Sequence, residues 1–134
     1  MPQDEYSLGG NMVRGLNFEF KPSGAETTST THNVAFTGYY GGAVMVTVAI
    51  ASSSGTTPTL LVTVEGSQDG TTWTQLGQIG ANGYVAGTPA TAPTNLTGAA
   101  TVTGIFPRPT FVRTRSTIGG TTPSFTYSVE SVIL

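Results

Sequence analysis

Few side chains in this 134-residue chain could carry acid–base, nucleophilic or metal chemistry. There is one histidine, His32, and there is no cysteine. A zinc site needs several ligands at suitable spacing, and His32 has no second histidine to share a metal with it. No serine lies in the G-x-S-x-G context of a hydrolase nucleophile. We therefore expect no catalytic residue, metal or cofactor, and we interpret His32 as an imidazole that bonds nearby hydroxyl groups.

The seven carboxylates do not suggest a catalytic pair. A glycosidase holds two carboxyl groups a few ångströms apart across a cleft. Glu65 and Asp69 flank one turn, but each has a simpler role, as a solvent-facing strand residue and as a turn former. The glycine-rich stretches match neither the phosphate loop nor the dinucleotide fingerprint. These patterns favour a protein that is not an enzyme.

Three arginines, Arg108, Arg113 and Arg115, form the one basic cluster. Arg113 and Arg115 are two residues apart, so in a strand they share a face with Phe111. Arginine is enriched in protein interfaces, which makes the cluster a candidate contact with another subunit. The alternative is an edge strand that its charges protect from aggregation.

Four aromatic residues, Tyr39, Tyr40, Trp73 and Tyr84, are candidates for a sugar-stacking platform. Trp73 follows a predicted hairpin turn at an apolar position, and we expect it in the core. Tyr39 and Tyr40 precede Gly41 and Gly42, and we expect them to be exposed.

Composition excludes several classes of partner. Five basic and seven acidic residues give a net charge of -2, which cannot supply the basic surface that binds a phosphate backbone. The longest apolar stretch, residues 43–51, is too short to span a membrane. Residues 1–10 are polar and acidic, unlike a secretory signal. We expect a protein made in the cytoplasm that binds no nucleic acid, membrane or small-molecule substrate.

The elements that would position these residues are strands. Thr, Val, Tyr and Phe recur in short runs between clusters of Gly, Pro, Ser and Asn. The predicted strands are residues 16–20, 28–36, 43–52, 59–67, 72–79, 101–106, 110–118 and 124–134. Several alternate, with Val44, Val46, Val48 and Ile50 on one face, or Leu60, Val62 and Val64 facing in while Thr63 and Glu65 face out. This pattern predicts an all-β fold, an antiparallel β-sandwich, with an eight-stranded jelly roll as its expected form.

Turns and longer segments complete the predicted organisation. Residues 52–58 are predicted to form a hairpin loop, residues 68–70 a tight Asp-Gly turn, and residues 119–123 a Gly/Pro turn. Residues 80–100 are predicted to be an unusually long loop, of the kind that is usually functional or mobile. Residues 1–15 are predicted to be a flexible arm and residues 16–134 a single domain. Within the arm, Asp4, Glu5, Tyr6 and Arg14 are candidate interface residues.

Two stretches resemble a known family. Residues 42–70 run strand, Ser/Gly/Thr loop, strand and Ser-x-Asp-Gly turn, and residues 107–134 contain an aromatic-Val-Arg-x-Arg strand, a Gly-Gly-Thr turn and a final strand. Both resemble the jelly-roll proteins that decorate, or cement, the heads of tailed bacteriophages. The resemblance implies a virion protein on the capsid surface, made in the host cytoplasm. Its implied partners are the major capsid protein and itself, as a homodimer or homotrimer.

Two alternatives remain open. Discoidin-like, galactose-binding jelly rolls also carry Ser-x-Asp-Gly-x-x-Trp, here residues 67–73, and an aromatic-Val-Arg strand, here residues 111–113. That likeness implies a carbohydrate-binding module, although such domains often have cysteines or a calcium site. A tail or head-fibre module is the other alternative.

Overall fold

The fold was analysed in a computed structural model that describes residues 17–32 and 42–134. The strands are β1 (Asn17–Glu26), β2 (Thr30–Thr31), β3 (Ala43–Ser67), β4 (Thr74–Gly80), β5 (Gly83–Ala86), β6 (Ala100–Pro107) and β7 (Phe111–Ile133). Every strand pairing is antiparallel. Within the two described ranges, no helix is long and apolar enough to cross a membrane. The prediction of an all-β, antiparallel fold is confirmed.

Two long strands organise the sheet. β3 has 25 residues and β7 has 23, and they pair from Val44 opposite Ile133 to Ser67 opposite Phe111. β6 and β1 flank one half of this ladder, whereas β4, β5 and β2 flank the other half. We call the first half, with β6 and β1, the β1 layer. The second half, with β4, β5 and β2, is the β4 layer.

The long strands bend where two copies of one short sequence face each other. Gly-Thr-Thr-Pro occurs at residues 55–58 of β3 and at residues 120–123 of β7, with Thr56 opposite Thr121. A β-carbon on Gly55 would lie 2.5 Å from the carbonyl oxygen of Thr122, and Gly55 has a φ of 106°. The second copy mirrors this arrangement, because a β-carbon on Gly120 would lie 2.6 Å from the carbonyl oxygen of Thr57. Register shifts around both copies mark β-bulges, which let strands pass from one layer of a sandwich to the other.

The hairpin predicted at residues 52–58 and the turn predicted at residues 119–123 are therefore wrong. Each segment continues its strand, because each is the pairing partner of the other. Glycine and proline, which usually end strands, here supply the paired bulges. Four of the predicted strands merge into β3 and β7, and the described residues form seven strands rather than eight. Jelly-roll connectivity stays a prediction.

The long loop predicted at residues 80–100 also contains regular structure. β5 lies inside it and pairs with β4 after a tight turn at residues 81–82, and Gly83, which follows this turn, has a φ of 122°. Further along, Leu96 is buried and exchanges two 2.8 Å backbone hydrogen bonds with Leu60. In contrast, a turn does occur at residues 68–70, as predicted, although the connection between β3 and β4 is longer and covers residues 68–73. The predicted arm lies outside the described residues, as do residues 33–36 of the predicted strand at 28–36, so the division into arm and domain stays a prediction.

One hydrophobic core joins the two layers. The alternating prediction for β3 is confirmed, since Val44 and Val62 are fully buried from opposite halves of the strand. The core is Phe20, Val44, Val46, Val48, Ile50, Leu60, Val62, Val64, Ile79, Leu96, Phe106, Val112, Phe125, Tyr127, Val129 and Ile133. Thr63 and Glu65 lie on the outer side of β3, as predicted, but they are buried there by neighbouring side chains. This rigid pair of layers positions the side chains described next.

Candidate interaction surface

The outer face of the β4 layer carries an ion cluster of three residues. The carboxylate of Glu65 accepts a hydrogen bond from Nε of Arg113 at 2.8 Å and another from Nη2 of Arg115 at 3.0 Å. Antiparallel pairing places Glu65 directly opposite Arg113, and Arg115 follows on the same face of β7. The arginines cover Glu65, whereas the Arg115 side chain is 45% exposed. The cluster has two positive charges and one negative charge, so a positive charge faces the solvent.

Trp73 completes this cluster from the start of β4. The guanidinium carbon of Arg113 lies 4.1 Å from the centroid of the Trp73 ring, a cation–π contact. Trp73 is only partly buried and is not among the core residues. The expectation that it belongs to the core is therefore wrong, because the residue lies on the outer face, where Arg113 covers it.

The edge-strand interpretation of the arginines is wrong at Arg115. This residue pairs with Thr63 of β3 on one side and with Thr31 of β2 on the other. A strand bonded on both sides has no free edge to protect there. Contact with another subunit stays a prediction.

Arg108 does not share this surface. It follows β6, is 7% exposed, and its backbone N–H donates to the carbonyl oxygen of Gly42 at 3.3 Å. Burial lowers the pKa of its guanidinium below the usual value. A side chain this buried offers little surface to a partner, and its assignment as an interface residue stays a prediction.

The two described aromatic candidates do not form one sugar-stacking platform. Tyr84, on β5, is opposite Ile79, a core residue, and its ring packs edge-on against Phe106 at 5.2 Å between centroids. Trp73 lies at the other end of β4 and faces outward with Arg113 on its ring. Tyr39 and Tyr40 lie outside the described residues, as do Asp4, Glu5, Tyr6 and Arg14.

The turn between β3 and β4 borders an open groove of about 360 Å³. Asp69 shapes this turn by accepting hydrogen bonds from the backbone N–H groups of Thr71 and Thr72, both at 2.8 Å, and from the hydroxyl of Ser67 at 2.9 Å. Those bonds, led by the one from Thr72, lower the pKa of Asp69 to about 2. The groove walls combine hydroxyl groups with the apolar side chains of Leu76 and Pro109.

A buried polar network, which was not expected from the sequence, joins β1, β2 and β7. The carboxylate of Glu26 accepts hydrogen bonds from the hydroxyl of Tyr127 and from Ser116 at 2.9 Å. The imidazole of His32 contacts that carboxylate at 3.3 Å through Nε2 and the hydroxyl of Thr114 at 3.0 Å through Nδ1. The expectation that His32 bonds a nearby hydroxyl is confirmed. Its carboxylate partner was missed, because only the fold brings these strands together.

The network shifts the pKa values of its members. Burial lowers the pKa of His32 below its usual value, although Glu26 opposes this shift. Burial alone would raise the pKa of Glu26, but hydrogen bonds from Tyr127 and Ser116 and the nearby imidazole together bring it below the usual value. Burial, followed by the bond to Glu26, raises the pKa of the Tyr127 phenol. Neutral His32 and ionised Glu26 are thus the forms that the fold favours.

The described residues contain no group of three or more His, Cys, Asp or Glu side chains that could hold a metal ion. No protein-family model matches the chain, and no curated protein is detectably similar to it.

Proposed function

We propose that this protein is a non-enzymatic structural component of a bacteriophage virion, which binds the outer surface of the assembled capsid and reinforces it. Its partners are the major capsid protein and further copies of itself. It is made in the host cytoplasm and ends up on the capsid surface. The proposal does not involve a cofactor, a nucleic acid or a small-molecule substrate.

The observation that carries the proposal is the scarcity of charge on the described surface. The two described ranges contain nine charged side chains, of which Glu19, Asp69, Arg115 and Glu130 are exposed. Thr, Ser, Gly and Ala make up much of the remaining surface. Moving a charge out of water costs several kcal/mol unless a partner replaces the water. A surface with so few exposed charges loses little free energy when a shell covers it.

The continuous sheet supports the same proposal. Structural reinforcement requires a protein that does not deform when it is loaded, and the paired long strands with their single core provide one continuous unit. The exposed side of the Glu65, Arg113, Arg115 and Trp73 cluster offers the combination of arginine and aromatic side chains that is enriched in interfaces.

The test is co-sedimentation of the purified protein with empty phage heads that lack it. We expect saturable binding at a stoichiometry that matches a symmetry site of the shell. Replacing both Arg113 and Arg115 with Ala should weaken this binding if the cluster contacts the shell or a neighbouring copy on it. Deleting residues 1–15 tests the predicted attachment arm in the same assay. Absence of head binding by the intact protein would overturn the proposal.

The groove beside the β3–β4 turn favours carbohydrate binding as the second candidate. A glycan array run on the same sample separates the two functions. A glycan signal that is lost on Asp69→Ala or Trp73→Ala, together with no head binding, would establish the carbohydrate-binding module instead.

A further inference from the structure

The outer face of the β1 layer carries a partly exposed apolar row, in which Met45 and Val132 are half-buried. Ile105 of β6, Met45 of β3 and Val132 of β7 are direct neighbours across three strands. Ile105 is 46% exposed, and Leu134, two residues beyond Val132, is 44% exposed. Exposed apolar side chains that form a contiguous patch mark interaction sites, unlike isolated ones.

An acidic pair lies in the next row of the same face. Glu130 of β7 is directly opposite Glu19 of β1, and both are exposed. Like charges directly opposite each other on neighbouring strands are destabilising. The described cations do not relieve this repulsion, since Lys21 and Arg108 are buried while Arg113 and Arg115 belong to the other layer. A basic partner outside this copy would relieve it.

The outer face of the β4 layer has the complementary arrangement. Along β7, Phe111 and Arg113 are two residues apart on this face, and Trp73 lies against Arg113. Val132 and Glu130 have the same separation on the opposite face, and two residues of a strand span roughly 6–7 Å. Each outer face therefore carries an apolar side chain two residues from a charged one. The charge is positive on the β4 layer and negative on the β1 layer.

We propose that these two faces bind each other between copies of this protein. Glu19 and Glu130 of one copy meet Arg113 and Arg115 of the next, and the apolar row meets Trp73 and Phe111. Two β1 layers facing each other would instead bring four carboxylates together away from water, which opposes a symmetric pair. Each copy in such a pair still has one of these two faces unoccupied. Further copies can therefore bind in the same way and form a ring or a filament. This inference does not depend on the proposed shell, because it concerns only the protein itself.

The test is sedimentation velocity over a range of protein concentrations, without phage heads. Wild-type protein should self-associate. Arg115→Glu or Glu130→Arg alone should weaken the association by at least about tenfold, because each opposes like charges across the interface. Asn95→Glu, an exposed substitution outside both rows, is the matched control and should associate like wild type.

Charge exchange makes the test specific to the pairing of unlike faces. The double variant Arg115→Glu/Glu130→Arg should recover association, since each altered face again meets its opposite charge. An equal mixture of the two single variants should also associate, with the variants alternating, because both the wild-type contact and the exchanged contact then join unlike variants, whereas neither variant binds itself. Wild-type protein that stays monomeric overturns the inference, as do single variants that associate like wild type or folded variants that the exchange does not rescue. Circular dichroism confirms that each variant is folded.

Discussion

At the scale of single residues, most of the described charges are held by other parts of the protein. Glu65 is shared by two arginines, and Glu26 accepts hydrogen bonds from Tyr127 and Ser116. The ammonium of Lys21 donates to the carbonyl oxygens of Pro22, Gly24 and Tyr127. Buried charges are tolerated only with such partners, so removing one partner leaves the other uncompensated. Substitutions at Glu65, Glu26 and Lys21 are expected to act mainly on stability.

The Glu26–His32 network predicts that acid destabilises the fold. The pKa of His32 lies below its usual 6.5, so its contribution is complete above that pH and is lost as the pH falls. The pKa of Glu26 lies below its usual 4.5, so its contribution is lost at still lower pH. Urea unfolding at a series of pH values should show two successive decreases in the free energy of unfolding as the pH falls, the first from His32 and the second from Glu26. His32→Asn should remove the first decrease and keep the second, and an identical pH profile in this variant would contradict the assignment.

The position of Trp73 on the outer face predicts a modest cost for its removal. Trp73→Ala should cost within the roughly 0.5–3 kcal/mol that most substitutions cost. Phe106, which is 1% exposed, is the matched core residue, and Phe106→Ala should cost about 3–5 kcal/mol. Urea unfolding followed by circular dichroism measures both. A larger loss for Trp73→Ala than for Phe106→Ala would place Trp73 in the core after all.

At the scale of elements, the sequence predicted strands and their inward faces better than their connections. Alternation identified the buried side of β3, because the period of two follows from strand geometry alone. The Gly-Thr-Thr-Pro segments were interpreted as turns, since these residues mark a chain reversal and a sandwich corner equally well. Only the pairing of the two Gly-Thr-Thr-Pro segments with each other distinguishes these cases, and that pairing joins residues far apart in the sequence.

The candidate interaction surface could also be predicted only in part from the sequence. The shared face of Arg113 and Arg115 followed from their spacing. The burial of Arg108, and the carboxylate that the two arginines share, depend on which strands become neighbours. The partners of His32 are likewise supplied by β1 and β7, and no local pattern indicated them.

The bend at which the two Gly-Thr-Thr-Pro segments pair predicts that replacing either of its glycines destabilises the fold. Gly55→Ala and Gly120→Ala would each place a β-carbon within 3 Å of carbonyl oxygens and strain a positive φ. We expect each to lower the free energy of unfolding by about 1–3 kcal/mol. Gly98→Ala is the matched control, because its β-carbon would meet its nearest atom, Ser53 Oγ, only at 3.9 Å. Equal stability of the three variants would contradict the close packing of the two segments at this bend.

At the scale of the whole molecule, a rigid two-layer sheet presents a surface with few exposed charges and two unlike outer faces. The low desolvation cost suits a protein that is covered on assembly, and the unlike faces suit contact between neighbouring copies. We propose that reinforcement arises from many weak contacts that act together, since contacts within an assembled lattice benefit from high effective concentration.

The most direct test of this function measures the stability of the shell itself. DNA-filled heads that lack the protein are heated with increasing amounts of it, and the temperature of DNA release is recorded. We predict that the release temperature rises and then levels off when the binding sites are filled. A release temperature that stays unchanged while the protein is bound would contradict reinforcement of the capsid.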